Sequence, residues 1–180
     1  MNLKSFRIIL VILLFVLNCK KFQAFFEEEK IPDITNPKII MQDLFELKYP
    51  SNWIYQEDKE NKINLDFKSY LIESSGNSYI QIFVYGTAMD NKACVDEFKS
   101  EFEEDLIESE KIEERDSWGK QKGYGVKLTG KILFLNPGSV NIFCFTEKEN
   151  TFSIIEFYYE SDFEKIKPGL FLIQSSFKLF

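Results

Sequence analysis

Apolar and polar residues alternate along several short stretches of the chain. Apolar side chains occupy every second position in residues 45–49 and again in residues 62–68. Alternation of this kind is typical of a β-strand with one buried face. Residues 79–85 are apolar or aromatic at almost every position, and the preceding Gly76-Asn77 favours a turn. We therefore predict a hairpin of two strands in this part of the chain.

One segment has helical periodicity. A cysteine or apolar side chain recurs at every fourth position from Cys94 to Leu106, and Asp90 stands where a helix N-cap is expected. Seven acidic residues occupy the other sides of residues 96–108. A calcium site usually gathers oxygens from a bent loop, and a straight helix offers too few converging ligands. The pattern predicts an amphipathic helix with a solvated acidic surface and no metal site.

Strand patterns resume after this helix, in residues 126–134, 140–145 and 151–159. Turns are predicted at residues 136–138 and 147–150, and a final helix from Ser161 onwards with an interruption at Pro168-Gly169. Several strands are apolar on both faces, which indicates a sheet covered on two sides, and short connections indicate antiparallel pairing. The predicted fold class is α+β: an antiparallel sheet of about six or seven strands flanked by helices, an α/β/α sandwich.

The beginning of the chain has the layout of an export signal. A short basic start precedes an unbroken apolar run at residues 8–17. A transmembrane helix needs about 20 apolar residues, so this run is too short to remain as an anchor. Residues 16–19 (VLNC) resemble a bacterial lipobox, in which the cysteine is acylated and the signal is cut before it. We predict a lipoprotein signal peptide at residues 1–18 and lipidation of Cys19. An ordinary secretory signal is the alternative.

The rest of the chain divides into two parts. Residues 19–41 mix charges and prolines without a clean period, and they are predicted to be a lipidated N-terminus and tether. Residues 42–180 are predicted to be one globular domain. Lys20 stands where an inner-membrane retention signal would place Asp, which favours the outer membrane. We expect a cell-envelope protein held to the membrane by acyl chains on Cys19, at the periplasmic face or the cell surface.

Composition excludes several classes of function. The chain has no histidine, which excludes Ser-His-Asp and Cys-His catalysis and zinc bound by histidine. It carries 22 Lys and Arg against 29 Asp and Glu, and Arg115 is the only arginine after the signal, which argues against nucleic acid as a partner. Catalytic and phosphate-binding motifs are absent from the sequence. We predict no catalytic residues, no cofactor and no metal ligands.

Three cysteines occur in the chain. If Cys19 is acylated, Cys94 and Cys144 remain as an even pair in an exported protein, and the two can form a disulfide. Two separate buried thiols are the alternative, because free cysteine is among the most buried residue types.

Short motifs over about residues 44–180 resemble the PsbP/Mog1-like fold family, which occurs in many small bacterial lipoproteins. The motifs are YPSNW at residues 49–53, GYGV at 123–126 and FLIQSSF at 171–177. The resemblance implies a PsbP/Mog1-like sandwich and a non-enzymatic scaffold, since relatives act as assembly or binding factors for larger complexes. Tyr49, Trp53 and Phe177 are expected to pack in the core.

The sequence thus predicts a membrane-anchored lipoprotein that binds or assembles an unidentified envelope protein. Sheet edges or aromatic loops would form the binding surface, with Trp53, Tyr55 and Trp118 as candidate partner-binding residues, because Trp and Tyr are enriched at interface hot spots. A hydrolase that uses carboxylates alone is one alternative. Its candidate residue is Glu156, although such a strand residue more often points outward or pairs with lysine. A carrier of a small apolar ligand is another alternative, consistent with 19 phenylalanines.

Overall fold

The computed structural model describes residues 28–57, 67–105, 107–132 and 136–180. The predicted signal peptide, Cys19 and the first part of the predicted tether lie outside these residues. The described part contains ten strands and two helices, in the order β1 (Lys38–Met41), β2 (Phe45–Tyr49), β3 (Ile54–Glu57), β4 (Phe67–Glu73), β5 (Tyr79–Tyr85), α1 (Asn91–Asp105), β6 (Ile107–Trp118), β7 (Gln121–Ile132), β8 (Asn136–Glu147), β9 (Asn150–Tyr159), α2 (Phe163–Ser176) and β10 (Lys178–Leu179).

The strands form two antiparallel sheets. The larger sheet has seven strands in the order β3-β4-β5-β9-β8-β7-β6, and the smaller one has the order β1-β2-β10. The predicted α+β class with an antiparallel sheet of six or seven strands is confirmed. The small sheet was not predicted, because β1 has four residues and β10 has two, too few to show a period.

Helix α1 covers one face of the seven-stranded sheet, and α2 and the small sheet cover the other. Strand β9 shows both contacts, because Ile155 belongs to the core cluster on the α1 side and Ile154 to the cluster that contains Ile166 and Ile173 of α2. This arrangement explains why strands such as β9 are apolar at successive positions. In the part of the chain that the structure describes, neither helix is long and apolar enough to cross a membrane.

The boundary predicted between tether and domain is wrong, because the folded domain begins before residue 42. Strand β1 pairs with β2 along its whole length, and its Ile40 is buried in the core. Glu29 is buried as well. Partners distant in the chain fix this segment, and a local pattern cannot show them.

Three predicted element boundaries also differ from the structure. Helix α1 ends at Asp105, and the charged residues that follow it form β6, an edge strand. Asn136 to Gly138 pair with β7 as part of β8 and form no turn. Helix α2 continues through Pro168. The next residue, Gly169, is buried against Trp53, and a Cβ there would lie only 2.8 Å from Trp53 Cζ2.

Candidate functional site

Both tryptophans lie in the core. The exposed fraction of Trp53 is 1% and that of Trp118 is 5%. The Trp53 ring packs on Gly169 of α2, and the Trp118 ring meets Phe177 edge to face with 5.3 Å between ring centres. The expectation that these two indoles contact a partner is therefore wrong. Each tryptophan stands at the end of a polar or charged segment, and its side chain points into the core between the sheet and α2.

Tyr55 is the third candidate partner-binding residue, and it is half-buried on β3. Its hydroxyl accepts a hydrogen bond from Gln42 Nε2 over 3.0 Å, and its ring centre lies 6.2 Å from that of Tyr49. Burial raises the pKa of Tyr55, and the nearby Glu57 carboxylate raises it further. Tyr55 packs against the core cluster that contains both indoles, and its contact with a partner stays a prediction.

Glu156 is buried between the seven-stranded sheet and α2, with 3% of its surface exposed. Its Oε1 accepts hydrogen bonds from Trp118 Nε1 and Gln174 Nε2, each over 2.7 Å. Its Oε2 accepts one from Asn141 Nδ2 over 2.8 Å. The expectation that Glu156 points outward or pairs with a lysine is wrong, because its partners are three neutral N–H groups from β6, β8 and α2.

The arrangement around Glu156 joins secondary structure elements. Three N–H donors satisfy a carboxylate, which only accepts hydrogen bonds when ionised. Glycosidase chemistry needs a second carboxyl group across an open cleft, and the described hydrogen-bond partners of Glu156 include none. Asn141 Oδ1 is buried without a partner among the described residues. Glu156 therefore fastens α2 and the end of β6 to the sheet.

A second polar cluster holds the N-terminal segment against the domain, and sequence reasoning missed it. The Ser51 hydroxyl donates to Asp33 Oδ2 over 2.6 Å, and Asn52 Oδ1 accepts the Asp33 N–H over 2.8 Å. Asn52 Nδ2 also donates to the Ile31 carbonyl. The Ser51 and Thr35 hydroxyls lower the pKa of Asp33. The signal was present in the YPSNW motif, whose two central polar residues bind this segment.

Glu29 continues the same attachment. Its Oε2 accepts the Ser74 hydroxyl over 2.7 Å in the turn between β4 and β5, and a Cβ at Gly76 would lie 2.4 Å from that oxygen. Lys165 of α2 donates to the Glu29 carbonyl and pairs with the exposed Glu28. We call Glu29, Asp33, Ser51, Asn52 and Ser74 the N-terminal clamp. Its members come from distant parts of the chain. Gly76, which has no side chain, lets the turn between β4 and β5 close around the Glu29 carboxylate.

Exposed carboxylates are concentrated on α1 and β6, and we call them the acidic surface. Its exposed carboxylates belong to Asp96, Glu97, Glu101, Glu103, Glu108, Glu110, Glu113, Glu114 and Asp116. Among the residues that the structure describes, no three Asp, Glu or Cys side chains are grouped so as to hold a metal ion. The pairing of β6 with β7 shifts register around Glu110 and Asp116. Charges and bulges on an edge strand hinder its pairing with strands of other molecules, so this edge is protected.

The interior below α1 contains a disulfide. Cys94 of α1 and Cys144 of β8 are joined, with 6.3 Å between their Cα atoms, and both side chains are fully buried. The bond fastens the acidic helix to a central strand of the sheet.

Comparison with known proteins bears on the fold. No family model matches the chain, and no curated protein matches it. The solution structure of the cyanobacterial PsbP protein CyanoP from Synechocystis sp. PCC 6803 superimposes with a TM-score of 0.51 at 12% identity. The match covers 82% of this chain and 94% of that one. The fold is PsbP-like.

A second solved structure, a crystal structure from Bacteroides thetaiotaomicron, has a TM-score of 0.44 at 13% identity. The match covers 76% of this chain and 45% of that one. The PsbP-like fold that the sequence motifs predicted is thus supported by the CyanoP comparison.

The glycines of the GYGV motif make room for an aromatic ring of the neighbouring strand, since a Cβ at Gly125 would lie 2.7 Å from Phe143 Cδ2.

Proposed function

We propose that this chain is a lipid-anchored, non-enzymatic binding factor of the bacterial cell envelope. Acyl chains on Cys19 hold it to the membrane, with the outer membrane as its destination. Its partner is an envelope protein with a basic surface. The PsbP-like fold supports the scaffold role that the sequence resemblance implies, and the lipobox-like residues 16–19 support the anchor.

The observation that carries the proposed binding role is the acidic surface. Nine exposed carboxylates on α1 and β6 stand against four basic residues on the same two elements, Lys92, Lys99, Lys111 and Arg115. Complementary charge speeds the encounter of two proteins and selects against wrong partners. A disulfide and a buried core hold α1 in place. The surface is therefore presented rigidly.

Neither alternative function gains support from the contacts. The Glu156 carboxylate is enclosed by N–H donors, and it meets no second described carboxyl group. Between the sheet and α2, aromatic rings are packed against one another. Phe145 and Phe152 stack with 4.8 Å between centres, and Phe177 meets Phe152 edge to face at 6.2 Å. Rings in such contact fill the space that an apolar ligand would need.

The anchor is tested by changing Cys19. The wild-type protein should partition into detergent and incorporate a palmitate analogue, and Cys19→Ser should abolish both. Cys94→Ser and Cys144→Ser are the controls, and they should leave labelling unchanged. A wild-type protein in the aqueous phase, with an unmodified N-terminus that begins after residue 19, would exclude the anchor.

The partner surface is tested by site-specific photo-crosslinking in the native membrane. A crosslinker at Glu101 on α1 should capture a basic envelope protein, and a crosslinker at the exposed Ser175 on α2 is the matched control. Capture should weaken in high salt and in a Glu97→Lys variant, because both reduce the electrostatic attraction. Equal capture from both positions, or capture that neither salt nor charge reversal affects, would contradict the proposed surface.

A further inference from the structure

The outer face of the small sheet carries exposed apolar side chains. Ile40 of β1 and Leu47 of β2 point into the core, so the alternation of the strands directs Ile39 and Met41 outward. Ile39 is 57% exposed and Met41 is 67% exposed. Phe180 follows β10 at the edge of the same sheet and is 56% exposed. Three large apolar side chains are thus presented to the surroundings by one small sheet.

Two lysines accompany these apolar residues. Lys48 stands opposite Ile39 in the register of β1 and β2, and Lys178 stands opposite Glu46. Lys178 pairs with Glu46 over 3.2 Å, and its Nζ lies 5.8 Å from the centre of the Phe180 ring. We call Ile39, Met41, Lys48, Lys178 and Phe180 the small-sheet face. This face combines apolar side chains with lysines, whose long aliphatic chains end in a charged group. Such a combination is typical of the interface between lipid acyl chains and phosphates.

The position of this face relative to the proposed anchor is restricted by the chain. The small sheet lies on the side of the seven-stranded sheet opposite α1, and it packs there through contacts such as Phe45 with Phe152. Glu28 is held by Lys165 of α2 in the same layer. The nine residue steps from Cys19 to Glu28 span at most about 30 Å. A bilayer that holds Cys19 therefore lies within about 30 Å of Glu28, which is on the same side of the seven-stranded sheet as the small sheet.

We propose that the small-sheet face rests on the membrane into which Cys19 is anchored. The side chains of Ile39, Met41 and Phe180 enter the boundary between acyl chains and head groups, and Lys48 and Lys178 reach the lipid phosphates. The acidic helix α1 then points away from the bilayer, where it is free to meet a partner. This orientation rests on the proposed lipid anchor and adds the surface that touches the lipid.

The orientation is tested with the acylated full-length protein in phosphatidylcholine vesicles whose acyl chains carry bromine, a fluorescence quencher. Met41→Trp and Phe180→Trp each place a reporter on the small-sheet face, while the native Trp53 and Trp118 are buried and give a constant background. Ile112→Trp is the matched control, because Ile112 is also exposed but lies on the α1 side of the sheet. Its partner in the register of β6 and β7 is Leu128, which belongs to the core cluster on that side. Both reporters on the small-sheet face should lose most of their added fluorescence, and the control should match the wild type.

Each remaining outcome contradicts the orientation in a distinct way. Reporters at 41 and 180 that remain bright in protein that floats with the vesicles would overturn the orientation and leave the anchor intact. Wild-type protein that stays out of the vesicle fraction would overturn the anchor and the orientation together. Reporters already shielded from acrylamide without vesicles, in protein that sediments as a dimer, would assign the face to a second copy of the chain instead.

Discussion

The indole N–H of Trp118 and the carboxylate of Glu156, 38 residues apart in the chain, form a hydrogen bond of 2.7 Å in the interior. Gln174 donates to the same oxygen, and Asn141 donates to the other one. The side-chain oxygen Oδ1 of Asn141 is buried without a partner in the described part of the chain. Rotation of the Asn141 amide would therefore let it accept a hydrogen bond from a neutral side chain at position 156. We therefore expect this position to require hydrogen bonds rather than a negative charge.

Two substitutions of Glu156 should consequently differ. Glu156→Gln keeps acceptors for Trp118 and Gln174, and its amide can donate to Asn141, so we expect a loss below about 1 kcal/mol in the free energy of unfolding. Glu156→Leu leaves three buried donors without acceptors and should lose about 3–5 kcal/mol. Urea unfolding of both variants measures the difference. Glu149→Gln, in an exposed turn, is the control. Equal losses for Gln and Leu would show that the charge itself is essential.

The N-terminal clamp predicts different effects for two neighbouring glutamates. Glu29→Ala removes the buried acceptor of Ser74 and should lower the free energy of unfolding by about 1–2 kcal/mol. It should also speed tryptic cleavage after Lys30, which Glu29 holds beside the domain. Glu28→Ala removes only an exposed ion pair with Lys165, so little change is expected. Identical cleavage rates for the two variants would rule out the clamp. Gly76→Ala should reproduce the Glu29→Ala result, because its methyl group would displace the carboxylate.

The disulfide between Cys94 and Cys144 predicts a large effect of reduction. The two cysteines are 50 residues apart, and closing a loop of this length stabilises the folded state by about 4 kcal/mol through the entropy of the unfolded chain. The double variant Cys94→Ala/Cys144→Ala should lose a comparable amount in urea unfolding. Reductant should destabilise the wild type and leave the double variant unchanged. A wild type whose urea midpoint is the same with and without reductant would exclude the bond.

The half-buried Tyr79 ring predicts a loss of stability in alkali. Burial raises the pKa of Tyr79 to about 12, with a smaller contribution from Glu73, and the ring stacks on Phe157 at 5.1 Å. The unfolded phenol titrates near pH 10, so the folded state favours the neutral form. This contribution to stability is complete below about pH 10 and is lost as the pH rises towards 12. Tyr79→Phe should weaken the dependence of the urea midpoint on pH in this range.

The control for this experiment is the absorbance of phenolate. In titrations of the folded proteins, the Tyr79→Phe variant should show one fewer tyrosine ionising near pH 12 than the wild type. Tyr85 has a pKa raised to about 12 for the same reason, and it accounts for part of the remaining alkaline dependence. Loss of a tyrosine that ionises near pH 10 instead would contradict the raised pKa of Tyr79.

Strands β2 and β5 and the start of α1 follow from local patterns. Alternation marks β2, the nearly continuous apolar run marks β5, and Asp90 accepts the Ala93 N–H over 2.9 Å as the predicted N-cap. These features can be predicted from the sequence because the periodicity of a single segment shows which of its faces is buried. The sequence of strand β6 shows no such periodicity. It stands at the sheet edge, where most of its side chains meet water on both faces.

By itself, the sequence determined the α+β class, the antiparallel pairing and the acidic character of α1, since each depends on residues close together in the chain. The tertiary structure alone decided the places of Trp118, Glu156 and Glu29. Trp118 ends a charged strand and Glu29 belongs to a segment of mixed charge, so their neighbours in sequence predict exposure. Both are buried because hydrogen-bond partners 38 and 45 residues away compensate the loss of water. Such partners exist only once the sheet, α2 and the N-terminal segment have come together.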